Sequence, residues 1–123
     1  MAANKTVHFG PVALGNSVAN VLNPGTTTGG VNMPANSGNL YFILRHIRLV
    51  NKTGSSATVS FYIGGSGLSA AGTEFLGTTL AVAANSAYDW YGVLRLDTSD
   101  YLTGTASATT TITFEAEGEV GVN

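Results

Sequence analysis

Residues 40–63 read LYFILRHIRLVNKTGSSATVSFYI, and the way this stretch divides decides the fold. Leu40 to Val50 is mostly apolar and rich in Ile, Leu, Val and aromatic residues, which suit a pleated surface. NKTGSSA follows, and its Asn, Thr-Gly and Ser-Ser bend a backbone at low cost. In the second run Ala57, Val59, Phe61 and Ile63 alternate with Thr58, Ser60 and Tyr62, the period of a half-buried strand. The same period in the first run puts Ile43, Ile47 and Leu49 on one face, interrupted by Arg45, with His46 and Arg48 on the other. The expectation is a strand–turn–strand hairpin whose apolar face is covered by a second sheet built from residues after 63.

The remaining chain supplies that cover. Strands are expected over 74–83 with a bend at Gly77, from Tyr88 through Leu96, and over 101–107 with Leu102, Gly104 and Ala106 inward. The last is marked by Ile112, Phe114 and Ala116 alternating with Thr111, Thr113, Glu115 and Glu117. Turn signals between them, such as Ala84-Asn85-Ser86 and the polar ending of LDTSD, recur at sandwich spacing. Upstream, Ser17 to Leu22 is a candidate short strand. Residues 23–39, NPGTTTGGVNMPANSGN, hold two prolines and four glycines, which exclude a helix and a central strand. The chain thus reads as one all-β domain, a single antiparallel β-sandwich of jelly-roll-like type. Residues 1–39 are expected to form an arm and irregular loop, and 40–123 the body. Deleting residues 1–15 is expected to leave the body folded.

A chain of 123 residues buries about two-thirds of its unfolded surface, enough for one core. Five Lys and Arg stand against seven Asp and Glu, a net charge of −2, which gives no electrostatic grip on nucleic acid or an anionic membrane. There is no cysteine, hence no disulfide framework or thiolate chemistry. No apolar run is long enough for a membrane span, and the first residues lack the apolar core of a secretory signal.

No catalytic constellation is visible. His8 and His46 are far apart and without ligand spacing, and Arg45 and Arg48 beside His46 disfavour a cation. Glu115, Glu117 and Glu119 share one face of a strand and read as a solvated face paired with arginine. The glycines at 64, 65 and 67 lack the following helix and basic residue of a phosphate cradle. Asn4-Lys5-Thr6 and Asn51-Lys52-Thr53 match the glycosylation pattern by coincidence of composition. No cofactor and no metal is expected. Tyr88, Trp90 and Tyr91 are the one aromatic group suited to stacking on a sugar ring, with Tyr88 and Trp90 on one face and Tyr91 with Val93 on the other.

Three segments carry a resemblance: LRHIRLVNKTGSSATVSFYIGG, LAVAANSAYDWYGVLRLDTSDYLTGTAS and TTITFEAEGEV. Their shared features are Ile47-Arg48-Leu49-Val50-Asn51, Thr53-Gly54, Ala84-Asn85-Ser86, Leu94-Arg95-Leu96 and Asp100-Tyr101-Leu102. Over residues 40–120 the chain resembles small β-sandwich structural proteins of tailed bacteriophage virions. The resemblance implies a non-enzymatic component located in the virion, such as a capsid decoration (cement) protein. Its partners would be the major capsid protein and copies of itself. The expected interface comprises Val7, Phe9, Val12, Leu14, Val31, Met33, His46 and Arg48. The alternative is a carbohydrate- or receptor-binding module using Tyr88, Trp90 and Tyr91.

Overall fold

The computed structural model describes residues 4–26 and 40–122, the side chains at 77 and 78 excepted. Among the described residues there are eight strands and no helix. They are β1 (Lys5–Ala13), β2 (Ala19–Leu22), β3 (Leu40–Asn51), β4 (Ala57–Gly64), β5 (Glu74–Val82), β6 (Ser86–Leu96), β7 (Tyr101–Ala106) and β8 (Ile112–Val122). One sheet runs β1-β8-β3-β6 and the other β2-β7-β4-β5, all pairs antiparallel. Four of these pairs are nested: β1 with β8, β2 with β7, β3 with β6 and β4 with β5. A long double ribbon has been folded over so that β3–β8 and β4–β7 contacts complete the two sheets. That is the jelly-roll arrangement.

The core lies between the sheets. Phe9 and Phe42 sit 4.8 Å apart by ring centroid within one sheet, and Phe61 meets Phe114 across the sandwich at 5.8 Å. Ile47, Leu49, Val59, Phe61, Val82, Leu96, Leu102, Ile112 and Phe114 are buried, as their alternation requires.

The stretch 40–63 does not form a hairpin. β3 and β4 belong to opposite sheets, and the connection arches over the end of the core. The apolar faces of both strands therefore look at each other, and Asn51 holds the arch. Its side-chain Nδ2 donates to Ser55 O at 2.8 Å and Val82 O at 3.1 Å, while Oδ1 accepts from Thr53 N and Oγ1. Asn23 does the same after β2, bonding Thr98 O, Asp100 O and both donors of Thr26.

A second departure lies inside β3. Its pairing with β8 steps from Leu44 opposite Gly118 to His46 opposite Glu117, so Arg45 is an extra residue, a bulge. The bulge shifts the alternation: Leu40, Phe42 and Leu44 are buried before it, Ile47 and Leu49 after it. Ile43 leaves the core row, and Arg45 no longer interrupts an inner face.

The N-terminal residues are also placed differently from the expected arm. β1 is an edge strand of the first sheet and β2 of the second. Phe9 and Leu14, expected at a partner interface, are buried in this chain's own core, and Val7 and Val12 pack against it. Pairing of β1 with β8 turns these apolar side chains toward the space between the sheets. Val31 and Met33, and most of 23–39, lie outside the described residues.

Candidate functional site

The outer face of the β1-β8-β3-β6 sheet gathers all three arginines, Asp89, Glu115, Glu117, Glu119 and both histidines. Strand register explains why. His8, Glu117, His46 and Tyr91 lie in one row across the four strands, and Glu115, Arg48 and Asp89 in the next. Because the β3 bulge turns both Arg45 and His46 outward, this face carries one more polar group than simple alternation would allow.

The centre is His46, whose side chain is 18% exposed. One ring nitrogen, Nε2, is 2.7 Å from Asp89 Oδ1, and Nδ1 is 3.3 Å from Glu117 Oε1. The Tyr91 ring stacks on the imidazole, centroids 4.6 Å apart and planes within 10°. Arg48 grips Asp89 from the other side, Nε donating to Oδ1 at 2.8 Å and Nη2 to Oδ2 at 3.4 Å. These bonds hold the Asp89 carboxyl below its ordinary value, Arg48 contributing most and His46 next. The same pairing raises Arg48.

A second network borders the first. Glu119 accepts from Asn4 Nδ2 at 3.0 Å and from Arg45 Nε at 2.8 Å, and the two, Asn4 first, lower its carboxyl. Tyr41 OH donates to Asn4 Oδ1, Arg95 lies 4.0 Å over the Tyr41 ring, and Arg95 Nε reaches Asp97 at 2.9 Å. His8 faces Glu115 at 3.3 Å. The three glutamates of β8 thus have three different partners. Among the described residues no group of three or more His, Asp and Glu side chains is arranged to hold a metal ion. The acids hold neighbouring side chains in place.

Two apolar groups project from this face, Tyr91 at 72% and Val93 at 69% exposure. The other two aromatics of the expected sugar site turn inward. Tyr88 and Trp90 pack against the core, and Trp90 meets Phe75 edge-on at 5.4 Å. The structure therefore brings His46 and Arg48 together with Tyr91, and separates all three from Trp90. Beside them, a shallow groove at the end of β3 and β6 is lined by Arg48, Lys52, Asn85, Ser86 and Ala87 among others. Sequence reasoning passed over Asp89 and Tyr41, and the usable signal was cross-strand register, which a single strand does not contain.

The opposite outer face differs in chemistry. On β4 and β7 it presents Thr58, Tyr62, Tyr101 and Thr105, with Ser60 and Thr103 buried beneath hydrogen bonds to Thr79 N and Leu68 O. None of these carries a charge. No protein-family model matches the chain, and no curated protein matches it in sequence.

Proposed function

We propose that this protein is a non-enzymatic structural component of a phage virion. In this reading it is a decoration (cement) protein that binds the head lattice and stabilises it by contact with the major capsid protein and its own copies. The observation that carries the reading is the nested jelly-roll pairing of its eight strands. Jelly rolls build viral capsid proteins and lectin domains alike. The direction of Trp90, which packs against the core, supports the first of these. The tyrosine and hydroxyl side chains that β4 and β7 present on the outer face of the β2-β7-β4-β5 sheet, where Glu74 opposite Tyr62 adds one acid, support lattice docking, since interface cores are depleted in charge and enriched in tyrosine. An antiserum raised against the protein should label particles released by the genome that encodes it. Finding the protein only in the particle-free fraction of the lysate removes the reading. Glycan-array binding abolished by Tyr91→Ala would put the carbohydrate module in its place, because Tyr91 is the exposed member of the aromatic group.

A further inference from the structure

Each sheet has two edges, and an edge strand is a template for pairing with another chain. Three of the four are blunted. β1 carries Pro11 and a register shift between Phe9 and Val12, so its ladder is interrupted. β2 has four residues and a register shift of its own. β5 loses register between Phe75 and Leu80, with Leu76 and Thr79 at positive φ. β6 also shifts register, with Gly92 and Val93 standing opposite Arg45 of β3, yet Tyr88, Trp90 and Leu94 still pack against the core from one side of the strand. It runs 11 residues without proline or lysine, and it presents Tyr91 and Val93, two of the four exposed large apolar residues among those described.

We propose that β6 pairs with β6 of a second copy, antiparallel across a two-fold axis at Gly92, so that two β1-β8-β3-β6 sheets become one continuous sheet. The occupant follows from self-complementarity. Residues directly opposite in an antiparallel pair point to the same face. A two-fold pairing of β6 with itself must therefore centre on a residue and not between two. Centred on Tyr91, Asp89 would face an apolar Val93. Centred on Val93, Asp89 would face Asp97, a like charge. Centred on Gly92, Asp89 faces Arg95 and Tyr91 faces Val93, each pair formed twice by symmetry. On the inner side Trp90 then faces Leu94, and Tyr88 faces Leu96. Asp89 keeps Arg48 and His46, and Arg95 keeps Asp97 and the Tyr41 ring, so the cross-copy pair adds to existing contacts. The Tyr91–Val93 contact covers the most exposed apolar surface of the sheet. This inference does not depend on the virion reading.

Sedimentation equilibrium of the full chain should give a dimer. Val93→Lys sets a charge against the partner's tyrosine on a side chain that is already exposed. It should raise the dimer dissociation constant about tenfold or more while leaving the circular dichroism spectrum unchanged. The chain has no cysteine, so register can be read by cross-linking. An equal mixture of Tyr91→Cys and Val93→Cys proteins should form disulfide-linked dimers under oxidation faster than either variant alone. A monomer at all concentrations, a dimer indifferent to Val93→Lys, or single variants that cross-link as fast as the mixture would each overturn the proposal.

Discussion

Asn51 is 1% exposed, and both donors and both acceptor positions of its amide are used. An amide is the one side chain that can donate to two carbonyls and accept from two donors at the same point. Asn51→Ala should cost about 1–3 kcal/mol in urea denaturation, because it removes a donor from Ser55 O and Val82 O and the acceptor that Thr53 N bonds. Asn51→Asp should cost more, since a carboxylate cannot donate and would face those carbonyls with charge. Equal stability of Asn51→Asp and the unchanged protein would mean that the amide does not hold the arch. Asp89 and Glu119 act at the same scale through pH. Their folded-state values lie below the ordinary range, so ionised carboxyls stabilise the fold above the unfolded values, near 4. That contribution is lost as pH falls through the depressed folded values. Urea midpoints measured from pH 7 down to pH 2 should decline in this window. Asp89→Asn should flatten part of the decline.

At the scale of elements, the bulge in β3 sets what its neighbours must be. The Ile43 carbonyl of the bulged segment stands where a Cβ on Gly118 would go, and the Trp90 ring lies 2.6 Å from where one on Gly92 would go. Gly118 therefore lets β3 carry its extra residue, while Gly92 leaves room for the indole of Trp90 on its own strand. Gly118→Ala pushes a side chain into backbone and should cost at least about 1–3 kcal/mol. The altered phase has its own check. Leu44 is fully buried, so Leu44→Ala should cost about 2–5 kcal/mol. Ile43 faces outward, and Ile43→Thr should cost about 1 kcal/mol or less. Comparable costs at the two positions would restore unbroken alternation and remove the bulge. A run of eleven apolar and basic residues shows neither phase nor bulge by itself. Arg45 on an apparent inner row was the visible sign, and a second phase was the reason.

For the whole molecule, β1 and β2 are parts of the two sheets and not an appendage. Removing residues 1–15 would take Phe9 and Leu14 out of the core and uncover β8 along its length. Such a truncation should lose its cooperative thermal transition, contrary to the expectation of a dispensable arm. A truncated protein that melts like the full chain would show that the remaining strands suffice. The sandwich also divides its surface by chemistry, an ionic network on one outer face and, on the other, mainly hydroxyl and tyrosine side chains with Glu74 opposite Tyr62. The first face is proposed to act through its β6 edge and the second through its tyrosine and hydroxyl side chains.

Period-two alternation, scarce charge and closely spaced turn residues determined that this chain is an antiparallel sandwich, and they placed most of the later strands. These are local properties, because a strand's alternation records which of its faces is dry. Alternation does not record which strand lies alongside. The passage of β3 and β4 into opposite sheets, the docking of β1 on β8, and the meeting of His46 with Asp89 and Glu117 depend on pairings between residues up to a chain length apart. A turn of Asn, Thr, Gly and Ser suits a hairpin and an arch equally well. Only closure of the two sheets over one core selects the arch, because it buries both apolar faces at once and leaves the amide of Asn51 to bond the backbone it bends.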